Sequence, residues 1–512
     1  MRSFNQAIEA AETYSPAEER FNRRRRTVGL FLGPAVMLAL WSAPLPVPEA
    51  AHRMAAIMGL VIVLWVSEAL PMAVTAILGP VLAVMTGVAD ARSALAPFAD
   101  PIIFLFIGSF ILAEAMFVHG VDRRIAYTAL SWKFVGQSAP RILFVYSAVA
   151  TGLSMWISNT ATTAMMFPIG LALVSHLMQV GPKDDASRQA VRRFALGLML
   201  MTSFGASVGG MATPVGTPPN LIGIGLLERI AGVRISFFNW MAIGLPLVFM
   251  LFAVLIALFT LTTTRGVRMV EGGSALVRSE LRKLGRLGAA ERNVLLAFGS
   301  TVLLWTLPGF LALAGLDGTA FATHYEKAVP EGIAAMIGAL LLFVLPVDWR
   351  KRKFTITWDE AVRIDWGIVL LYGGGLSLGA LAFQTGLADA IGRGVTSWLP
   401  SHSTLALTVI FTASAIVLSE ATSNTASANM IVPVAIAVSQ AAGIRPLEPA
   451  LGATLGASMG FMMPISTAPN AIVYSSGFIP ITAMMRYGIV LDVVAFAAIV
   501  AVVLGLSPIL FP

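Results

Sequence analysis

Apolar stretches recur along this chain from Thr27 to its C-terminus, with only short polar breaks between them. A helix needs roughly 20 mostly apolar residues to cross a bilayer, because each residue adds only about 1.5 Å. Stretches near that length run over 101–118, 237–262, 293–316 and 487–511. Only 12% of the residues are charged, against about 25% in an average soluble domain. The sequence therefore predicts an all-α polytopic membrane protein with about 11 transmembrane helices.

Two residue counts exclude whole classes of protein. The chain has no cysteine, which excludes disulfides, thiolate metal sites and cysteine nucleophiles. Its net charge of +7 is compatible with nucleic acid binding, but the basic residues cluster in short segments between apolar stretches. Basic residues at such places set the orientation of membrane helices. We therefore expect a lipid bilayer around the chain and no nucleic acid partner.

The run Arg23–Arg26 stands directly before the first apolar stretch. A charged segment followed by an apolar one is also the pattern of a secretory signal peptide. Because many apolar stretches follow, we favour a first span that is retained. This interpretation predicts a cytoplasmic N-terminal segment over 1–26.

A Ser-Asn-Thr-Ala motif occurs twice, at 158–161 and at 423–426. In both copies a serine lies four residues before the motif, at Ser154 and Ser419, and a proline follows ten residues after the motif's first serine. Two further elements repeat downstream in the same order: G-A-S-x-G at 205–209 and 456–460, and T-x-P-N at 217–220 and 467–470. This ordered match indicates an internal duplication.

Basic residues around the two copies indicate how each is oriented. Four basic residues precede the first copy closely and four follow it, so both of its ends should face the cytoplasm. The second copy is flanked only by Arg393 and Arg445, which places its ends on the opposite side. The repeats are therefore predicted to be inverted. The predicted segments are an N-terminal segment (1–26), a first span with the first repeat (27–262), a basic cytoplasmic linker (263–292) and a second, inverted repeat (293–512).

Each Ser-Asn-Thr-Ala copy lies between two apolar arms, over about 141–180 and about 404–441. The arms are either full spans joined by a surface loop, or re-entrant hairpins whose tips meet at the bilayer midplane. We favour two re-entrant hairpins, because the tips carry little of the charge or turn chemistry typical of surface loops. Each hairpin is followed by an interrupted apolar helix, over about 194–228 and about 450–480.

The motif residues are suited to an anion site without a basic side chain. Ser, Asn and Thr cap helix starts, where backbone N–H groups lack partners and the helix dipole is positive. Such a start binds anions, and two facing starts suit a solute with two anionic ends. The prolines of the T-x-P-N elements break a helix. The carbonyls freed at Gly216 and Ser466 are ligands of the kind that hold sodium in discontinuous transporter helices.

Beyond the repeated motifs, the chain carries W-V-S-E-A-L-P at 65–71, F-I-G-S-F at 106–110 and G-G-G-L-S-L-G at 373–379. With these elements it resembles the divalent anion/sodium symporter family, over nearly all of the chain. The resemblance implies a homodimer in the bacterial inner membrane. Each protomer is expected to have a scaffold part and a mobile part with the two hairpins, and to work by an elevator-type movement.

The resemblance also implies two sodium ions as coupling ions and one small dianionic solute. The expected residues are, for the first sodium site, Ser154, Ser158, Asn159 and Gly216; for the second, Ser419, Thr422, Asn424 and Ser466; and for the solute, Asn159, Thr160, Thr217, Asn424, Thr425 and Thr467. Ala468 departs from the family, where threonine is commoner before the proline, so the solute assignment near Thr467 is weaker.

The leading hypothesis is sodium-coupled symport of a C4-dicarboxylate such as succinate. A sodium-independent exchanger, a sulfate or citrate carrier, a proton-coupled carrier and an anion channel stay as alternatives. The G-x-S-x-G matches also fit a hydrolase with Ser207 or Ser458 as nucleophile, although small residues that allow close helix contact explain both better. Three acids in apolar segments, Glu68, Glu114 and Glu420, are candidates for a role in coupling.

Overall fold

The computed structural model describes residues 16–180, 184–267, 272–398 and 403–511. The first 15 residues of the predicted N-terminal segment lie outside this part. Helices account for nearly all of the described chain. Those before the first hairpin are α1 (Pro16–Ser42), α2 (Glu49–Ser67), α3 (Met72–Met85), α4 (Ala91–Leu95), α5 (Pro101–His119) and α6 (Val121–Leu130), with a 3-10 helix at Ala96–Ala99.

The first hairpin and the interrupted helix follow. The hairpin is α7 (Ala139–Ser154) and α8 (Asn159–Val180), joined across only four residues. The interrupted helix is α9 (Asp185–Gly210) and α10 (Pro218–Ala231), and α11 (Phe237–Thr263) ends this half. The interruption lies directly before Pro218, since proline is compatible with a helix start but not with a helix interior.

A short connecting helix, α12 (Gly273–Lys283), precedes the second half. The elements of that half up to the second hairpin are α13 (Ala289–Leu313), α14 (Ala320–Ala328), α15 (Glu331–Val344), β1 (Pro346–Asp348), β2 (Lys353–Phe354), α16 (Trp358–Ala361), α17 (Trp366–Gln384) and α18 (Leu387–Thr396). The two short strands pair antiparallel.

The second hairpin and interrupted helix repeat the pattern of the first. They are α19 (Thr404–Ala421), α20 (Asn424–Ala441), α21 (Leu447–Gly456) and α22 (Ala468–Tyr474), followed by α23 (Ile481–Leu510). Helix α22 ends at Tyr474, short of the predicted boundary near 480, and α21 ends at the start of the repeated G-A-S-x-G element, whereas α9 continues through it.

The two halves pack against each other in a reciprocal way. Helices α5 and α17 have 19 residues each, and α3 and α15 have 14 each. A Cβ atom on Gly108 of α5 would overlap the backbone of Ala335 in α15, and one on Gly374 of α17 would overlap the backbone of Ala76 in α3. Helices approach this closely in membranes where glycine faces the contact. Each half thus supplies one glycine and one alanine to the same kind of crossing.

Among the described residues, eight helices are long and apolar enough to span a bilayer, and α14 with α15, bent by 67°, would make a ninth. Two of the eight, α8 and α19, are hairpin arms. Helix α1, the shorter α3 and the interrupted helices fall outside this set. The predicted number of about 11 transmembrane helices counts them as well. The prediction of an all-helical, polytopic membrane fold is confirmed.

The hairpin tips decide between the two interpretations of the Ser-Asn-Thr-Ala copies. Asn159 and Asn424, at the two tips, are both buried and line one and the same cavity. Loops on opposite membrane surfaces would not meet in this way. The surface-loop interpretation is therefore wrong, and the polar tips lie inside the protein, as lipid requires of irregular backbone.

Candidate functional site

A cavity of about 500 Å³ lies between the two hairpin tips. A volume in this range is typical of small-molecule sites. All six residues predicted for the solute lie on its wall, together with Ser158 and Ser466: Asn159, Thr160, Thr217, Asn424, Thr425 and Thr467. The other residues of the predicted sodium sites, Ser154, Gly216, Ser419 and Thr422, lie behind this wall.

Four helices begin at the cavity. Helices α8 and α20 begin at Asn159 and Asn424, while α10 and α22 are preceded by the N-cap residues Thr217 and Thr467. The first N–H groups of a helix have no partner within the helix, and they carry the positive end of its dipole. The cavity thus has the positive potential of several helix ends without a lysine or arginine at the tips.

Serine caps hold both hairpin tips in the same geometry. The Ser158 hydroxyl oxygen accepts a hydrogen bond from the Ala161 backbone N–H at 3.3 Å, and the Ser423 hydroxyl oxygen accepts one from Ala426 at 3.2 Å. A capping serine satisfies one of the free donors of a helix start. The hydroxyl oxygens of Thr217 and Thr467 also accept hydrogen bonds, from the Asn159 amide at 3.5 Å and from the Asn470 N–H at 3.3 Å.

Oxygen atoms converge behind the first tip. The buried Ser154 hydroxyl donates to the Asn159 side-chain oxygen at 2.8 Å. A Cβ atom on Gly210 would collide with this same oxygen and would lie 3.1 Å from the Gly216 carbonyl oxygen. Neutral side-chain and carbonyl oxygens of this kind are the ligands that sodium takes at broken membrane helices. The fold therefore brings Ser154, Asn159 and Gly216 together, as a sodium site requires.

The second tip repeats this arrangement. The Ser419 hydroxyl lies 2.8 Å from the Asn424 side-chain oxygen. A Cβ atom on Gly460 would lie 3.0 Å from that oxygen and 3.3 Å from the Ser419 carbonyl oxygen. The hydroxyl of Thr422 lies 2.7 Å from that of Ser427. The Ser466 hydroxyl donates to Glu420, at 3.0 Å to its backbone oxygen and 2.9 Å to its carboxylate. Ser419 and Asn424 therefore meet as Ser154 and Asn159 do, with neutral oxygens of the kind that sodium takes.

Asn220 braces the break between α9 and α10, although the site prediction did not include it. Its side-chain nitrogen donates to the carbonyl oxygens of Gly210 at 2.9 Å and Thr213 at 2.7 Å. Asn220 thus ties the end of α9 to the segment that follows it, where the Thr213 oxygen also accepts a hydrogen bond from the Gly216 N–H at 3.4 Å. The signal was present in the sequence as the last residue of the T-x-P-N element.

Asn470 braces the second break in the same way. Its side-chain nitrogen donates to the carbonyl oxygens of Gly460 at 2.9 Å and Met463 at 3.0 Å. The bonds span ten and seven residues in both halves, which makes Gly460 the structural counterpart of Gly210. The sequence alignment of the repeat, which placed Gly460 opposite residue 209, is therefore wrong by one position at this end of the motif.

Three charged side chains line the cavity away from the tips: Glu114 of α5, and Arg363 and Asp365 directly before α17. Of these three residues, only Glu114 was a candidate from the sequence. Arg363 lies in a polar segment between β2 and α17, where nothing local distinguishes it from other loop arginines. Of the remaining acids considered, Glu68 does not line the cavity and pairs with Arg25 at 2.7 Å.

The G-x-S-x-G elements lie at close helix contacts. Ser207 and Ser458 are buried, and neither hydroxyl has a hydrogen-bond partner among the described residues. A Cβ atom on Gly209 would overlap the backbone of Thr151, and one on Gly456 would come within 2.8 Å of the Thr412 carbonyl oxygen. These glycines therefore allow helices to pack, as proposed against the hydrolase hypothesis.

Comparison with known proteins agrees with this architecture. Residues 24–511 match the family described as "Sodium:sulfate symporter transmembrane region". The sodium-dependent dicarboxylate transporter SdcS of Staphylococcus saprophyticus is 34% identical over 486 residues, covering 94% of this chain and 91% of the relative. SdcS of Staphylococcus aureus strain USA300 is 33% identical over 489 residues, with the same coverage.

A solved structure, that of the YdaH transporter of Alcanivorax borkumensis, superposes with a TM-score of 0.52 and covers 84% of this chain and 89% of its own. At 13% identity this likeness concerns the fold alone. The family match spans almost the whole chain and names a transporter, not an enzyme. The resemblance drawn from the motifs is confirmed, and the chain belongs to the sodium:sulfate symporter family, the divalent anion/sodium symporters.

Proposed function

We propose that this protein is a secondary active transporter that couples the movement of sodium to that of a small dicarboxylate, with succinate as the first candidate. One observation carries the proposal: four helices begin at a single cavity, and a cluster of neutral oxygens lies behind each hairpin tip. Helix starts favour anions, and oxygen clusters favour cations. Relatives covering 94% of the chain are named sodium-dependent dicarboxylate transporters, which supports this combination.

Each hairpin tip would bind one end of a solute that has two anionic ends. Asn159, Thr160 and Thr217 would hold one carboxylate, and Asn424, Thr425 and Thr467 the other. Neutral donors can do this without the desolvation cost of a buried, permanently charged cation. Ala468 occupies the position that Pro218 has in the first half. Its smaller side chain fills less space at the second end of the cavity.

Sodium binding and solute binding share the same side chains in this scheme. The Asn159 side-chain oxygen would bind sodium while its amide nitrogen, 3.5 Å from the Thr217 hydroxyl, faces the solute side. In the second half the Asn424 side-chain oxygen lies against Ser419 in the same way, but its amide nitrogen donates to the Ser458 carbonyl oxygen at 3.3 Å. A sodium ion on the Asn159 oxygen would fix its amide plane and so pre-organise a donor for the anion. This supports symport over an anion channel, which needs no such link.

The transport cycle would be an elevator-type movement of the hairpins and interrupted helices relative to a scaffold, within a homodimer in the bacterial inner membrane. With the N-terminus in the cytoplasm, Arg363 and Asp365 would lie on the cytoplasmic side, near the basic segment 350–353. The cavity reaches these residues, so the described conformation would face inwards.

Uptake by purified protein in liposomes tests the proposal. An inward sodium gradient should drive accumulation of labelled succinate, and unlabelled dicarboxylates should compete. Uptake that depends on preloaded internal dicarboxylate and ignores sodium would favour the exchanger. Competition by sulfate or citrate, but not by C4-dicarboxylates, would change the substrate. No sodium-dependent uptake of any dianion would refute the proposal.

A further inference from the structure

Two buried acids lie against each other beside the second hairpin tip. Glu420 is the penultimate residue of α19, and Asp492 lies in α23, one of the helices able to span the membrane. Their exposed fractions are 4% and 5%. The two carboxyl groups are close enough to interact. An acid within a membrane span is expensive to bury and usually serves a function.

Glu420 is held in place by donors from the second interrupted helix. One carboxylate oxygen accepts hydrogen bonds from the backbone N–H groups of Phe461 at 2.6 Å and Met462 at 2.9 Å. The other accepts one from the Ser466 hydroxyl at 2.9 Å. These three donors fix the position of the Glu420 carboxyl group.

Asp492 has no such support. Among the described residues, no hydrogen-bond donor reaches either of its carboxylate oxygens, and no lysine, arginine or histidine pairs with it or with Glu420. A buried polar group without a partner is costly, so the two acids leave unsatisfied oxygen ligands at this place.

The first half of the molecule shows that the fold does not need these acids. A Cβ atom on Gly244 of α11 would come within 2.8 Å of the backbone at residues 211–212, and one on Gly488 of α23 would come within 2.7 Å of the equivalent backbone at 461–462. Gly244 and Gly488 are therefore counterparts. Four residues further along each helix stand Val248 and Asp492, and Val248 is buried as well.

Glu420 has an apolar counterpart too. The two tips align with Asn159 opposite Asn424, so Met155 stands where Glu420 does. The first half thus packs Met155 and Val248 at the positions of the acid pair. Since apolar residues build the same junction there, packing does not explain the acids of the second half. Their charge is what distinguishes the two halves.

We propose that Glu420 and Asp492 form a third sodium site, next to the second hairpin tip. Its ligands would be the Asp492 carboxylate, the Glu420 carboxylate oxygen that accepts from Ser466, and the Ser466 hydroxyl. A sodium ion there neutralises one of the two charges, and the three donors on Glu420 offset the other. The inference rests on the proposed function, because the third ion is a coupling ion of the same transport cycle.

A third ion changes the charge carried per cycle. Two sodium ions with one dicarboxylate dianion are electroneutral, whereas three carry one net positive charge. An inside-negative potential of about 100 mV would then raise the equilibrium accumulation of solute about 50-fold. Removing the acid pair should make transport electroneutral without removing sodium dependence.

The experiment compares the wild type with Asp492→Val, which copies the residue of the first half, and with Asp492→Asn, which keeps the shape. Ser507→Ala is the matched control, because Ser507 is buried on the same helix and its hydroxyl has no described partner. Succinate uptake into liposomes is measured against sodium concentration and against an imposed potassium-diffusion potential.

The wild type and Ser507→Ala should show a Hill coefficient for sodium approaching three and a response to potential, whereas both Asp492 variants should show a coefficient near two and no response. Variants that keep the wild-type response would overturn the inference, as would a wild type that is electroneutral. Uptake driven by a pH gradient with an unchanged sodium count would assign a proton to the pair and would also overturn it. No sodium-dependent uptake by the wild type would instead refute the proposed function.

A direct measurement of sodium binding tests the inference even if an Asp492 variant does not transport. Purified Asp492→Val should bind one radioactive sodium ion fewer than the wild type at saturation, and its thermal midpoint in sodium-free buffer should not fall, since a buried charge is removed. An unchanged number of bound ions would overturn the inference.

Discussion

The hydroxyl of Ser154 lies 2.8 Å from the side-chain oxygen of Asn159, and the same distance separates Ser419 from Asn424 in the other half. Ser154 is the last residue of its hairpin arm, Ser419 lies two residues before the end of its arm, and in both halves the asparagine begins the second arm. The serine thus orients the amide whose oxygen faces the predicted sodium site. Because the same contact occurs in both halves, it is a shared feature of the two tips.

Replacing Ser154 with alanine should weaken sodium binding more than it lowers the stability of the protein. The loss of one buried hydrogen bond costs about 0.5–1.5 kcal/mol, which corresponds to roughly a 2- to 12-fold rise in the sodium concentration at half-maximal uptake. Ser147→Ala on the same helix is the control, because the buried Ser147 hydroxyl has no described partner. Equal sodium affinities in the two variants would contradict the orienting role.

Asn470→Asp should destabilise the unwound segment between α21 and α22. The carboxylate cannot donate to the carbonyl oxygens of Gly460 and Met463, which the amide now satisfies. The Met463 oxygen keeps the Ser466 N–H as a partner at 3.2 Å, whereas Gly460 loses its described partner. A buried carbonyl left without a partner costs about 1–3 kcal/mol. We expect a lower thermal midpoint in detergent and a loss of uptake, and Asn220→Asp should behave alike. Normal transport by either variant would show that the braces are dispensable.

Gly374→Ala should disturb the crossing of α17 and α3. The added Cβ would overlap the Ala76 backbone, which cannot move aside as a side chain could. Overpacking of this kind typically costs about 1–3 kcal/mol. The control is Gly299→Ala in α13, where a Cβ would meet nothing within 4 Å. Size-exclusion profiles and thermal midpoints should separate the two variants, and equal stability would argue against a tight crossing.

The stability of the protein should fall as the pH rises through about 6, because of Asp122 at the start of α6. Burial raises the pKa of this carboxyl, whose residue is 3% exposed, from 3.8 to about 6, although the Arg123 backbone N–H lowers it in part. The folded protein therefore holds a proton that the unfolded chain releases near 3.8. The stabilisation is full below that pH and is lost as the pH passes 6, with a total change of about 3 kcal/mol.

Asp122→Asn removes this proton and tests the pH dependence. Thermal midpoints of the wild type should decline between about pH 4 and pH 6.5, whereas those of Asp122→Asn should change less over the same window. Asp185→Asn, at an exposed acid that starts α9, serves as the control and should follow the wild type. Parallel curves for the wild type and Asp122→Asn would refute the assignment.

Much of the site follows from chemistry between neighbouring residues, which a sequence displays directly. A serine before a helix start caps it, a proline breaks a helix, and a 20-residue apolar stretch needs lipid. For this reason the hairpin tips at Asn159 and Asn424 and the breaks before Pro218 and Pro469 could be located from the sequence, and the duplication indicated that they belong to one site.

What the tertiary structure decided concerns partners that are distant along the chain. Asp492 meets Glu420, 72 residues earlier, only because a glycine at position 488 lets α23 approach the unwound segment. Arg363 reaches the cavity because α17 packs beside the hairpins. Such contacts depend on which face of each helix turns inwards, and in a membrane every face is apolar, so the sequence pattern carries no record of that choice.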